Sequence, residues 1–498
     1  MGKKLIQNEK DFLNILESYP NEYIPAHIFS AISGTGFKIK NLDFAYILNP
    51  IIKEGKSELI SDFVLKTISS IAYKNEEDKD KIIKTIYFTN CTFNDSILLF
   101  NQSLNLNFVN CIFNSALIIP KYSQSINFSH NCTFKGNVTF NTTDSLIRFS
   151  DCFFKKKLNM DNVVFENKIR FHKCNFEKTL ILNNTSFKDL ADFWGSTFHE
   201  RVIFYKVNFN ETTVLSSVTF IKNVLFTYSK IKTLLILRGT NFKRGLDLSL
   251  AIIEGDLSLF DISLNTFKSI NGPFKEDKWL ESYDGIVAEI GDIPVINKRE
   301  TYRIIKNQLI DQKNGFEALK YSYLENRTYR KEVFYKMFPF SINNLKEKIK
   351  NHFSRENKIS QFLRKLKNNV LQFLKSFYNW FNLFFNYVLL TLNRISNRHG
   401  TSYFFGIIFT LLVGALFYYL SVLNTSKYEF STSIDWNIFS ENIATYVQFL
   451  IPTHRFIYID DLIDKSQLTA GFFIWDIVGR IFVGYGIYQT IQAFRKFK

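Results

Sequence analysis

A large apolar residue recurs every eleven positions through the middle of this chain. From Phe154 the series runs through Phe165, Phe176, Phe187, Phe198, Phe209, Phe220, Ile231, Phe242, Ile253 and Leu264. Most units add an apolar pair four and six residues later, such as Leu158/Met160, Ile169/Phe171, Leu180/Leu182, Val202/Phe204 and Leu246/Leu248. Lys, Asn, Thr, Asp and Glu lie between them. This alternation is that of a strand, whose successive side chains point to opposite faces. So short a unit cannot bury its own apolar face, and stacking of unit on unit must supply a continuous core. Upstream the same element returns every 20 to 22 residues, as Cys91-Thr-Phe93, Cys111-Ile-Phe113, Cys132-Thr-Phe134, Cys152-Phe-Phe154 and Cys174-Asn-Phe176. The unusual count of 54 Phe against 20 Gly and 8 Pro follows from using Phe at fixed positions.

These five elements hold all five cysteines, each two residues before a Phe, and the column continues with Ser196, Val218 and Thr240. A metal site needs its ligands clustered. A column with one member per coil, replaced downstream by Ser, Val and Thr, predicts small buried residues instead. His172 beside Cys174 reads as structural. No metal, cofactor or catalytic residue is expected, since the chain has no phosphate-cradling glycine loop, zinc spacing or nucleophile elbow.

The register of these units resembles the pentapeptide-repeat family, over roughly residues 86–265. The resemblance implies a mainly β fold, a right-handed quadrilateral β-helix with four short faces per coil. Solenoid ends need covering, and helical stretches at 9–18 and 61–73 suit residues 1–85 as an N-terminal helical cap. The β-helix is then 86–267. Gly272-Pro273 breaks the repeat and opens a linker and helical hairpin, 268–338. In the hairpin Tyr302, Ile305, Leu309 and Ile310 form one face, Asn314-Gly315 turns, and Phe316, Leu319, Tyr323 and Leu324 resume it.

The rest reads as a membrane attachment. Residues 402–423 carry no charge and are long enough to span hydrocarbon, with aromatic ends suited to the interfaces. A second span is expected at about 468–493, completing an α-helical transmembrane domain at 401–498. Residues 339–400 form a basic juxtamembrane segment. In it, 376–392 place Asn379, Asn382 and Asn386 opposite Phe, Tyr and Trp, as in a helix lying in the interface, with a third span as the rival reading. Lys and Arg concentrate at 346–398 and after the second span, while the loop between spans has only Lys427, Arg455 and Lys465. That asymmetry predicts cytoplasmic N- and C-termini in the cell (inner) membrane. It also assigns much of the net charge of +16 to an anionic bilayer surface rather than to nucleic acid. The N-terminus has no apolar stretch of a secretory signal.

Within 401–498 the order is span, short helix, span. The short helix, expected from 435 to 450, has an apolar side of Trp436, Phe439, Ile443, Val447 and Leu450. Asn437, Glu441 and Gln448 form a candidate polar face. Gly471, Gly479 and Gly486 make a stripe for close helix contact. Val483-Gly484-Tyr485-Gly486 spells the core of a potassium filter, but it lies within the last span, where no inner helix can follow. Asp476 and Arg480, four apart on that span, can pair. Ionisable groups in a span face a bundle interior or a water-filled cavity. The leading expectation is therefore an oligomeric, channel-like or membrane-perturbing protein with a cytosolic β-helix. The alternative is a membrane-anchored scaffold whose β-helix binds a protein partner.

Overall fold

The computed structural model describes residues 4–6, 29–32, 36–40, 42–44, 85–94, 97–98, 105–119, 125–141, 143–264, 267–269, 293–337, 359–426, 436–455, 459 and 463–496. It divides into two compact units, residues 1–270 with 276–301, and 271–275 with 302–498.

The first unit is a parallel-strand β-solenoid. Each coil passes through four short strands, as in Phe153–Phe154, Leu158–Asn159, Val164–Phe165 and Ile169–His172. Most strands then pair, in parallel and in register, with an equivalent 20 to 22 residues on. Thus Phe154 lies opposite Phe176, Phe165 opposite Phe187, and Ile169 opposite Ala191. The longest sheets have ten and eleven strands. The eleven-residue period of the sequence is therefore half a coil, and its Phe positions alternate between two opposite faces.

Phe side chains fill the interior as stacked columns. One runs Phe93, Phe113, Phe134, Phe154, Phe176, Phe198, Phe220, Phe242, with successive rings nearly parallel and centroids 4.5–5.3 Å apart. A second runs Phe88, Phe108, Phe128, Phe149, Phe171, Phe193 at 4.7–5.1 Å. Most neighbours across the two columns meet edge to face, as Phe128 and Phe134 do at 5.3 Å. Both geometries suit the ring quadrupole.

Two corners of the coil are turned by left-handed residues. One holds Asn90, Asn110, Asn131, Asp151, Lys173, Gly195, Ser217, Gly239 and Asp261, each at φ between 52° and 67°. The other holds Asn162, Asn184, Lys206 and Tyr228. Asn, Asp and Gly tolerate this conformation best, which accounts for much of the polar lettering between apolar positions.

Residues 1–85 contribute strands where they are described. Gly36–Lys40 pairs in parallel with Thr85–Thr89, and Leu42–Phe44 with Thr92–Phe93, so they extend the solenoid sheets. Phe29–Ile32 then adds antiparallel to Gly36–Lys40. The helices expected at 9–18 and 61–73 lie outside the described residues. At the far end Val295 opens helix α1 (Val295–Asp311), whose first turns lie against the last coil. There Asn297 Nδ2 donates to Asp247 Oδ2 at 3.1 Å and to Ser249 Oγ at 2.7 Å, and Leu248 N donates to Thr301 Oγ1 at 3.0 Å.

The second unit is helical. After α1 come α2 (Gly315–Met337), α3 (Ile359–Asn397), α4 (Tyr403–Leu423), α5 (Trp436–Phe449) and α6 (Ala470–Lys496). Tyr302, Ile305 and Leu309 are buried as expected, and on α2 so are Ala318 and Tyr321. Ile310 and Phe316 are not: both are exposed. They flank the turn, beyond the point where the helices face each other. Burial pushes the Tyr302 and Tyr321 hydroxyls above their ordinary range. Arg330 of α2 donates to Tyr387 OH of α3 at 3.3 Å. Among the described residues two helices, α4 and α6, are long and apolar enough to cross a membrane.

Candidate functional site

The cysteine column is packing. Cys91, Cys111, Cys132, Cys152 and Cys174 are thiols rather than disulfides, and all are buried. Thiols of the last four reach carbonyls of the preceding coil: Cys111 to Phe88 O and Cys132 to Phe108 O at 3.4 Å, Cys152 to Phe128 O and Cys174 to Phe149 O at 3.6 Å. Downstream, Ser196 and Thr240 make the same contact at 2.7 and 2.6 Å, to Phe171 O and Leu215 O. The position thus wants a small side chain able to satisfy a buried carbonyl. Burial raises the Cys111 and Cys152 thiols well above their ordinary range, which disfavours the reactive thiolate. His172 points the other way along its strand, bonding Asp192 Oδ2 at 2.7 Å on the surface. It therefore shares no site with Cys174.

The residues that carry chemistry lie in the C-terminal helices. Helices α4 and α6 run antiparallel in contact along their length. Tyr403 stacks on Phe494 at 4.4 Å at one end, Phe417 on Phe482 at 5.2 Å further along, and Thr425 bridges to Leu468 at the other. The glycine stripe permits this approach. A Cβ on Gly486 would lie 2.3 Å from Thr410 Oγ1, and one on Gly471 2.6 Å from Asn424 Oδ1. On α4, Gly406 reciprocates against Thr490. Helices that approach closely through small residues are a recurrent packing mode in membranes.

Helix α5 runs back alongside α4 toward the middle of the pair rather than lying across its end. Tyr446 OH donates to Leu411 O at 2.6 Å, and Leu450 sits where a Cβ on Gly414 would be. The Phe449 ring occupies the space left by Gly479, and Pro452 lies nearest Gly484. Gly414 and Gly484 are at the middle of their helices, so the end of α5 lies at mid-depth of the pair. The chain then returns past Ile459 and Ile463, both buried with Phe449, Phe472 and Val483. The buried face of α5 holds Thr445 and Phe449, and Tyr418 OH of α4 donates to Asn442 Oδ1 at 3.0 Å. Ile443 and Val447, on the expected apolar side, point outward and are half exposed. Gln448 is exposed beside them. The side chains of Trp436, Asn437, Phe439 and Glu441 lie outside the described residues.

Asp476 and Arg480 do pair. Arg480 Nε donates to Asp476 Oδ2 at 2.7 Å, and Asp476 is fully buried. The structure adds a partner that pattern reading missed: His454 Nε2 lies 3.1 Å from Asp476 Oδ1. Its other ring nitrogen, Nδ1, is 2.7 Å from Ile451 O. Thr-His-Arg in a loop has no local signature, and only the return of the chain from mid-depth brings it to α6.

A second polar cluster ties α3 to the far part of α6. Asn397 Nδ2 donates to Gln489 Oε1 at 2.5 Å and to Gln489 O at 3.0 Å, while Gln489 Nε2 and Tyr485 OH both donate to Asn393 Oδ1. The Val-Gly-Tyr-Gly tetrad is helical throughout, and its Tyr485 serves this cluster. On α3 the aromatic residues Phe377, Tyr378, Trp380, Phe381, Phe384 and Phe385 are exposed.

Residues 161–207 match the family model described as Pentapeptide repeats (9 copies). Neither the curated proteins nor the solved structures compared give a match. Residues 161–207 thus carry pentapeptide repeats, within a parallel-strand β-solenoid that is followed by two apolar helices long enough to cross a membrane.

Proposed function

We propose that this is an integral membrane protein whose residues 401–498 form a channel-like or membrane-perturbing element shared between copies of the chain, with the solenoid as a cytosolic sensor or assembly platform. The observation that carries this reading is the re-entrant course of α5. A helix that enters beside two spans, ends at mid-depth and returns as a loop places irregular backbone inside the apolar layer. Such backbone is tolerated there only where protein buries it or water lines it. The outward apolar residues Ile443, Val447 and Ile451 suit lipid or another copy, because in an apolar surrounding the water-soluble rule of burying them does not apply. The exposed aromatic side of α3, in a stretch of sequence whose basic residues run from 346 to 398, suits an anionic bilayer surface. Solenoids of this class are generally non-catalytic, and no enzyme activity is proposed.

Purified full-length protein in planar bilayers should pass current and run as an oligomer in detergent. Asp476→Asn or Arg480→Gln should alter that current. Protein that is monomeric and electrically silent overturns the reading. The alternative, a membrane-anchored scaffold that presents the solenoid to a protein partner, predicts that 401–498 can be exchanged for an unrelated two-span anchor with function retained.

A further inference from the structure

We propose that one long edge of the solenoid docks on the anionic headgroups of the bilayer. The edge is the corner of the coil that follows the column Phe134, Phe154, Phe176, Phe198, Phe220 and Phe242. Its segments, 135–137, 155–157, 177–179, 199–201, 221–223 and 243–245, hold nine Lys or Arg and two Glu. The first residue of each donates its backbone N–H to the Phe carbonyl one coil back, at 2.8–3.0 Å, so the segments stack in register. With strands about 4.8 Å apart, the row of segments extends roughly 24 Å. The diagonally opposite corner has the other sign. Its segments, 144–146, 166–168, 188–190, 210–212, 232–234 and 254–256, hold six Asp or Glu and three Lys. The solenoid is therefore a bar with one basic and one acidic edge, and the basic edge sets up a field that a polyanionic surface complements.

Lys135, Lys155, Lys156, Lys157 and Lys178 are exposed, and Lys222 is half-buried. Among the described residues none of these six lysines has an ion pair. Like charges at one-coil spacing repel, and an anionic surface relieves that repulsion. The flanks of the edge favour lipid. On one side Phe153, 37% exposed, lies next to the Lys155 segment. On the other, Ile181 and Ile203 are half-buried on the outer face of the following strands. Apolar side chains bordering a basic row suit the boundary between headgroups and acyl chains. Nucleic acid is a poorer match. Seven of the nine cations are Lys, which lacks the planar fork of Arg. Phe153 is the one aromatic in its outward column of Thr133, Phe153, Asn175 and Thr197, too few platforms for stacked bases. The proposal rests on the membrane reading of 401–498, which holds the edge near lipid at high effective concentration. It does not depend on conduction.

The test is brief lysine acetylation, read by mass spectrometry, of full-length protein in nanodiscs of phosphatidylcholine with or without phosphatidylglycerol. With phosphatidylglycerol, labelling of Lys155, Lys156, Lys157 and Lys178 should slow by about fivefold or more, the weight of one cation at an anionic surface. Lys168, Lys188 and Lys232, on the opposite corner, should label alike in both lipids. High salt should abolish the difference. In the triple variant Lys155→Gln, Lys156→Gln, Lys157→Gln, which alters only exposed side chains, Lys135 and Lys178 should lose their protection. Equal labelling in the two lipids, in protein that has entered the nanodiscs, overturns this proposal and leaves the membrane reading standing. Protein that stays in water without entering them overturns both. Protection already complete in phosphatidylcholine alone means that protein, such as the acidic edge of a second copy, covers the basic edge, and it overturns the proposal. Protection by added duplex DNA with none from phosphatidylglycerol assigns the edge to nucleic acid and overturns it too.

Discussion

The two units of this chain are stabilised in opposite ways. The solenoid repeats one contact many times: a Phe on a Phe, a small polar side chain on a carbonyl, a left-handed residue at a corner. The helical unit rests on contacts that each occur once, such as Gly479 under Phe449, Gly486 under Thr410, and His454 and Arg480 on Asp476. Repetition spreads stability over neighbours, so each coil depends mainly on the coils beside it. Unique contacts concentrate it, and they concentrate chemistry as well, since a buried charge survives only where specific partners meet it.

The largest effect should come from opening one Phe column. Phe149 is fully buried between Phe128 at 4.7 Å and Phe171 at 4.9 Å. Phe149→Ala should cost about 3–5 kcal/mol in urea unfolding. Hydrogen exchange should show the loss in the coils on either side, while the coils around Phe220 and Phe242 stay protected. Uniform loss along the whole solenoid would contradict neighbour-limited stability.

A smaller effect is expected from crowding the helical unit. Gly486→Leu, pressed on Thr410 and Phe409, should cost about 1–3 kcal/mol, read as a lower thermal midpoint in detergent. Gly484→Ala is the control. A Cβ there would meet its nearest neighbour, Pro452, at 3.9 Å, so the midpoint should hardly move. Equal sensitivity at the two glycines would break the claim that single contacts govern this unit.

The smallest effect should be in the cysteine column. In Cys132→Ser the hydroxyl can take the thiol's place on Phe108 O, as Ser196 does on Phe171 O. The change in stability should stay within about 1 kcal/mol. In the native protein the cysteines should resist alkylation until the solenoid unfolds, because burial keeps Cys111 and Cys152 protonated. Rapid native-state labelling would show that the column is more open than its packing implies.

Much of the solenoid was legible because its register is a one-dimensional property. Residues that stack in space are separated by a fixed number of positions, so Phe154 and Phe176 announce each other in the sequence. The corners were legible only afterwards: Asn110, Asp151 and Lys173 share a backbone conformation rather than a side-chain type. In the helical unit, Asp476 and Arg480 were readable as a pair because helix geometry fixes positions four apart. The outward turn of Ile443 and Val447 was not, because apolar periodicity marks a face without saying what lies against it.

The sequence by itself determined the coil, its period, its interior columns, the two apolar helices and the intrahelical ion pair, all consequences of local spacing. Only the tertiary structure decided that α5 ends at mid-depth and that His454 joins Asp476. Those contacts depend on how the chain folds back on itself, and no short-range periodicity encodes the path of that return.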